Sequence, residues 1–228
     1  MSTSDLSVVP DIHPDVGDLL STPRLNKGQR RFLEAFRHTS YRRVFYLTGG
    51  AGLSAGYLAH RTSDDLDFFT PEGFKIKRII GFMKGLDDLR DLQWLLPRDR
   101  TTFMLTFGDL EQVKVEYRHF PFQPLFPPKT VGDYYVDSMF DLLANKLYAL
   151  IERRYELDRI DIYLMFRELK SVTLREAVAA CERKFGFDRS IEDSVRKRLQ
   201  EPLPDECPSA LHQPLDLQQM ASFFQELL

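Results

Sequence analysis

The chain has 228 residues, 43% hydrophobic and 29% charged, with a formal net charge of -3. That is the make-up of a folded globular protein of one large or two small domains, and it excludes recruitment to nucleic acid by an overall basic field. Two cysteines, Cys181 and Cys207, without metal-ligand spacing exclude a disulfide scaffold or a cysteine-based zinc module. No basic segment leads into an apolar stretch at the N-terminus, and runs such as Ile79-Ile80 are too short to span a bilayer. The expectation is a cytoplasmic protein with reduced thiols and no membrane partner.

Residues 1–24 mix Ser, Asp and Pro with few aromatics and read as a flexible arm. A helix is expected from about Asn26 to His38, with Phe32 and Phe36 on one face. Val44 to Leu47 reads as a buried strand that runs into Gly49-Gly50, followed by a short helix from Leu53 to His60. Leu66 to Phe69 reads as a second strand, ended by the turn residues Thr70 to Gly73. Ile76, Ile79, Ile80 and Met83 make a helical stripe within 76–89. Trp94, near Arg98 and Arg100, suits either a core edge or a stacking platform. Phe103, Leu105 and Phe107 alternate, as do Val113, Val115 and Tyr117, with Gly108-Asp109 between them; this predicts a hairpin.

The proline-rich stretch 121–128 is the expected boundary. Beyond it the periodicity turns helical. Asp137 or Ser138 is placed to cap a helix carrying Phe140, Leu143, Leu147 and Leu150. Thr173 with Glu176 forms a capping box, Gly186 a stop, and Ile191, Val195 and Leu199 mark a further helix. A last helix ends near Leu228. The expected fold class is α+β, with an α/β domain over 25–128 and a helical domain over 129–228.

The chemistry concentrates between Gly49 and Phe69. Asp65 and Asp67 sit two apart on a predicted strand. Both carboxylates therefore leave one face, while Leu66 and Phe68 leave the other. Paired carboxylates repel unless a cation lies between them, and an oxygen-only donor set suits Mg²⁺. Glu116 is the natural third acid: on its strand Lys114, Glu116 and Arg118 face opposite to Val113, Val115 and Tyr117. If that strand pairs beside Asp65 and Asp67, the three acids are poised for in-line phosphoryl chemistry. Gly49-Gly50, between a strand and a helix start, gives bare N–H groups suited to phosphate, with Ser54 offering a hydroxyl. Alone, a D-x-D pair or a glycine pair is as readily a solvated turn.

These residues resemble the AbiEii/AbiGii-type nucleotidyltransferase toxins, a branch of the DNA polymerase β-like superfamily. The resemblance lies in Gly49-Gly50, Ser54, His60-Arg61, Ser63, Asp65-Leu66-Asp67 and Phe68-Phe69. A second block contributes Lys146, Arg153, Asp158, Asp161, Ile162 and Tyr163, and the Val113 to Glu116 strand also fits; together they span about 20–166. The chain departs from the pattern with Ala51-Gly52 after the glycine pair and with Leu157 before Asp158.

The resemblance implies a polymerase β-like nucleotidyltransferase domain with Mg²⁺ or Mn²⁺ held by Asp65, Asp67 and Glu116. It implies NTP contacts from Gly49, Gly50, Ser54, Arg61, Ser63 and Lys146, and a catalytic or orienting role for Asp158. Arg61 has a second reading, orienting Asp65. Asp161 is expected to be structural, paired with Arg153 or Arg154, while Lys146 and Arg153 share a helix side. The implied activity is NMP transfer to an acceptor, with a tRNA 3′ end and a toxin role beside an antitoxin protein as its further implications. Two alternatives stay open. One is transfer to a protein or small-molecule hydroxyl; the other is an inactive nucleotide- or partner-binding module.

Overall fold

The computed structural model describes residues 12–14, 17–96 and 100–228. Most of the expected N-terminal arm, and Arg98, lie outside the described residues. Among the described residues seven strands form one mixed sheet in the order β3-β4-β5-β2-β1-β7-β6. They are β1 Tyr46–Thr48, β2 Asp65–Thr70, β3 Leu89–Leu95, β4 Arg100–Phe107, β5 Gln112–His119, β6 Lys129–Val131 and β7 Tyr134–Val136. The helices are α1 Lys27–Arg37, α2 Gly49–Leu53, α3 Ile76–Lys84, α4 Met139–Glu152, α5 Glu156–Glu168, α6 Leu174–Phe185, α7 Glu192–Leu199 and α8 Leu217–Leu227. The class is α+β, as the patterning predicts. Among the described residues no helix is long and apolar enough to cross a membrane.

The residues divide into two compact units. One comprises Pro14–Gln123 with Pro128–Asp137 and holds the whole sheet; the other comprises Pro124–Pro127 with Ser138–Leu228 and holds α4 to α8. The sheet thus takes in residues 129–136, which the sequence assigns to the helical domain. Each of β6 and β7 has three residues, too few for a period-2 signal, and Gly132 turns between them with φ 59°.

In the sheet unit, strict alternation sorts the side chains. On β2, Leu66, Phe68 and Thr70 are buried, while Asp65, Asp67 and Phe69 are half-buried. On β5, Val113, Val115 and Tyr117 are buried. The buried face is aromatic. Phe68 and Tyr117 stack with ring centroids 5.3 Å apart, and Phe36 of α1 lies 4.6 Å from Phe68. Phe32 of α1 and Phe82 of α3 join them, 5.9 Å from one another. Offset and edge-on aromatic packing of this kind adds to area burial.

Asn26 caps α1 through a reciprocal bond pair with Gln29. Three predicted elements differ. The buried strand expected over Val44 to Leu47 lies at Tyr46–Thr48, and Val44 is exposed. The helix after β1 starts at Gly49 itself, so the glycine pair lies within its first turn, and it passes into a π-helical turn over Ser54–Leu58 that ends at left-handed Ala59. The helix expected over 76–89 stops at Lys84, capped by Gly85, and Leu89 opens β3. That strand is at the sheet edge and only Leu89 and Leu92 are half-buried, so it carries no alternation to read. Trp94 stands on it, 38% exposed, with the Lys84 ammonium 5.5 Å from its ring.

In the helical unit the caps follow the sequence. Ser138, rather than Asp137, caps α4 by accepting from Asp141 N–H. Thr173 and Glu176 form the capping box of α6, and Gly186 ends it in the left-handed conformation.

Candidate active site

Strands β2 and β5 pair in parallel, with Asp65 beside Lys114 and Asp67 beside Glu116. The strand pairing on which the third acid depends is therefore present. Asp65, Asp67, Lys114 and Glu116 all leave the face opposite the aromatic core. β4 flanks β5 on its other side with Thr102 opposite Glu116, and Thr102 Oγ1 donates to Glu116 Oε1 at 3.3 Å. Arg100 Nη1 stands 3.8 Å from Glu116 Oε2.

Lys114 links the acids. Its Nζ lies 2.7 Å from Asp65 Oδ2 and 2.9 Å from Glu116 Oε1. Burial works against the charged amine, but the hydrogen bonds to Asp65 and Glu116 outweigh it and hold the ammonium above lysine's ordinary range.

Side chains of the chain itself lie against the glycine pair. Gly49 takes φ 64°, and a Cβ there would collide with the Asp67 carboxylate. A Cβ on Gly50 would collide with the Arg61 guanidinium and the Ser63 hydroxyl. The two missing side chains thus let one acid and one cation lie against the start of α2. Arg61 is buried and donates from Nη1 to the Thr62 carbonyl at 2.8 Å. Ser54 is buried too, and its hydroxyl donates to the Arg61 carbonyl. Ser63 Oγ lies 3.5 Å from the Asp65 carbonyl. Ser54 and Ser63 therefore brace the backbone leading into β2.

Residues to which the sequence reading gives no part in the site hold this arrangement. Gln29, buried on α1, donates from Nε2 to the Ser63 carbonyl at 2.6 Å, tying the helix start to the loop before Asp65. Thr48 Oγ1 donates to Asp137 Oδ2 at 2.8 Å, and Tyr57 Oη to the Asp137 carbonyl at 2.9 Å. Asp137, fully buried, thus fixes both ends of the segment that carries the glycines. The parity of Lys114 with Glu116 is visible in the sequence. Its bridging position depends on the pairing of β5 with β2.

Lys146 and Asp158 belong to the helical unit. Lys146 Nζ donates to Asp158 Oδ1 at 2.7 Å and lies 2.6 Å from Asp161 Oδ2, both carboxylates being fully buried. Arg153 reaches the same Asp158, Nε to Oδ2 at 2.8 Å. Lys146 and Arg153 both reach Asp158, but not from a shared helix side: α4 ends at Glu152 and Arg153 follows it in extended backbone. Asp161, expected beside Arg153 or Arg154, receives Lys146, because Asp158 and Asp161 stand close enough on α5 for one ammonium to span the two.

The donor set on β2 and β5 is of the chemical kind that suits a hard divalent cation. It is made of carboxylate oxygens on adjacent strands of one face, and the fold already holds a positive charge between Asp65 and Glu116. Among the described residues no group of three or more His, Cys, Asp or Glu is arranged to hold a metal ion, and the Lys114 ammonium stands between Asp65 and Glu116.

Comparison with known proteins gives a consistent picture of the fold. No family model matches the chain. An uncharacterized protein of Aquifex aeolicus strain VF5 is 29% identical over 179 residues, covering 75% of this chain and 80% of that protein. Among solved structures, Helicobacter pylori JHP933 is similar with a TM-score of 0.59 and 18% identity, covering 87% of this chain and 86% of its own. A proposed nucleotidyltransferase of Helicobacter pylori is similar with a TM-score of 0.58 and 15% identity, covering 89% of this chain and 94% of its own. The chain has the fold of these proteins.

Proposed function

We propose that this protein is a nucleotidyltransferase that moves NMP from an NTP to an acceptor hydroxyl and releases pyrophosphate. The observation that carries the reading is the register of β2 against β5. It sets Asp65, Asp67 and Glu116 on one face of the sheet, beside the glycine-lined start of α2. The fold shared with a proposed nucleotidyltransferase supports it.

Asp65, Asp67 and Glu116 would hold Mg²⁺ or Mn²⁺, which when bound supplies Lewis-acid charge neutralisation for an in-line displacement. Glu116 accepts the proton of the acceptor hydroxyl. The acceptor oxygen then bonds to the α-phosphorus, the bond to the β-phosphate oxygen breaks, and pyrophosphate leaves with the electron pair. The backbone N–H groups of Gly49 and Gly50, with Arg61 and Ser63, donate to phosphate oxygens. Ser54 acts by fixing the Arg61 backbone. Lys146 and Asp158 enter through the family resemblance, Lys146 as a contact to the leaving pyrophosphate and Asp158 as the group that orients it.

The same resemblance extends the reading to a toxin that modifies a tRNA 3′ end and is countered by an antitoxin protein. The test is a transfer assay. The protein is incubated with each of four α-phosphate-labelled NTPs, Mg²⁺ and total tRNA, beside an Asp65→Ala/Asp67→Ala control. Label on tRNA that disappears in the control is the expected result. Label only on a protein or small molecule of a lysate keeps the chemistry and removes the tRNA assignment. Binding of Mg·NTP without any transfer overturns the enzyme reading in favour of a binding module.

A further inference from the structure

We infer that Lys114 is the resident counter-cation of this site and makes loading of the divalent ion depend on the nucleotide. The inference rests on the reading of Asp65, Asp67 and Glu116 as the metal-binding acids. Its basis is positional. The ammonium lies 2.7 Å from Asp65 and 2.9 Å from Glu116, one on each of two paired strands, and so occupies the place where an ion shared by these acids would sit.

Like charges this close on one sheet face need a positive charge between them. The chain supplies one itself. The Glu116 side chain is only 14% exposed, which limits solvent screening of the attraction. Two further groups reach the same carboxylate. Arg100 stands 3.8 Å from one oxygen of Glu116, and the Thr102 hydroxyl donates to the other, the oxygen that also meets Lys114.

Two consequences follow from charge balance. A bare divalent ion must displace an ammonium that already satisfies two carboxylates, so it binds weakly. An ion that arrives with a triphosphate brings extra negative charge, which gives the displaced ammonium a new partner. Lys114 therefore penalises metal alone more than metal with nucleotide, a coupling between two ligands of one site. It is a positioning residue and takes no part in bond making.

The experiment is a Mn²⁺ titration of the full chain, followed by the electron paramagnetic resonance signal of free Mn²⁺. It is run with and without an α,β-methylene NTP, on wild type, Lys114→Met and Lys114→Arg, with thermal melts to verify folding. Without nucleotide, Lys114→Met should bind Mn²⁺ on the order of tenfold more tightly than wild type, within the ordinary range of such couplings. With the analogue present the difference should shrink, and Lys114→Arg should behave like wild type. Equal or weaker Mn²⁺ binding by a folded Lys114→Met overturns the inference while leaving the acid site intact. If neither wild type nor Lys114→Met binds Mn²⁺ under any of these conditions, the metal-site reading fails and the inference fails with it.

Discussion

Gly49 combines two demands that only a glycine meets: a positive φ of 64°, and no Cβ where the Asp67 carboxylate lies. Replacing it with alanine asks for about 1–3 kcal/mol of backbone strain and also pushes Asp67 off its place on β2. Gly49→Ala is therefore expected to lower the melting temperature by several degrees and to weaken Mn²⁺ binding. Gly73 is the control. It has open space where a Cβ would stand and no positive φ, so Gly73→Ala should do neither. The pairing of an opened backbone with an acid on the neighbouring strand is out of reach of the sequence. Gly49-Gly50 suggests a phosphate seat, and nothing in a linear pattern says that Asp67 and Arg61 lie against it.

Capping makes the clearest link from local sequence to element. Thr173 and Glu176 exchange bonds at the start of α6, the Glu176 carboxylate accepting from Thr173 N–H at 2.8 Å and from its hydroxyl at 2.7 Å. Those bonds, the backbone one first, hold the Glu176 carboxyl below its ordinary range. With the folded value depressed, the contribution is complete above the unfolded carboxylate pKa of roughly 4.3 and is lost as pH falls through the folded value. Thr173→Ala should cost about 1 kcal/mol at neutral pH, read as a drop of about 2–4 °C in the melting temperature. That difference should narrow in titrations below about pH 4; a gap that stays constant into acid would assign the cost to the hydroxyl's bond from Glu176 N–H, which does not titrate, and not to its bond to the carboxylate. The edge strand β3 is the opposite case. It is held by pairing with β4 from Leu89 to Leu95, with hardly any burial of its own, so its existence is a property of its neighbour.

Across the helical unit, Asp141 joins three segments far apart in sequence. Its carboxylate accepts from Leu125 N–H at 2.8 Å, Phe126 N–H at 2.9 Å and Lys184 Nζ at 2.6 Å, with Ser138 Oγ at 2.7 Å. Asp141 is fully buried and the Lys184 side chain 1% exposed. Removing one partner of such a pair strands the other charge away from water. Asp141→Ala should cost about 3–5 kcal/mol, a large share of the roughly 5–15 kcal/mol that keeps a typical protein folded. Urea unfolding followed by circular dichroism checks this. A loss under about 1 kcal/mol would mean that Lys184 finds water instead.

What depends on neighbours along the chain is legible in the amino-acid order alone. That covers the caps of α4 and α6, the alternation that sends Asp65, Asp67 and Glu116 away from Leu66, Phe68 and Tyr117, and the α+β class. Period and capping are local physics, so they are written in a few consecutive residues. Which strands lie side by side, and so which charges meet, is settled by the three-dimensional packing. Lys114 is a bridge because β5 pairs with β2, Asp137 is a strut because β7 pairs with β1, and Lys146 meets Asp161 because α4 and α5 pack together. Such contacts join residues distant in the chain, and the free energy of burying charge and aromatic surface together selects them, so no single segment carries them.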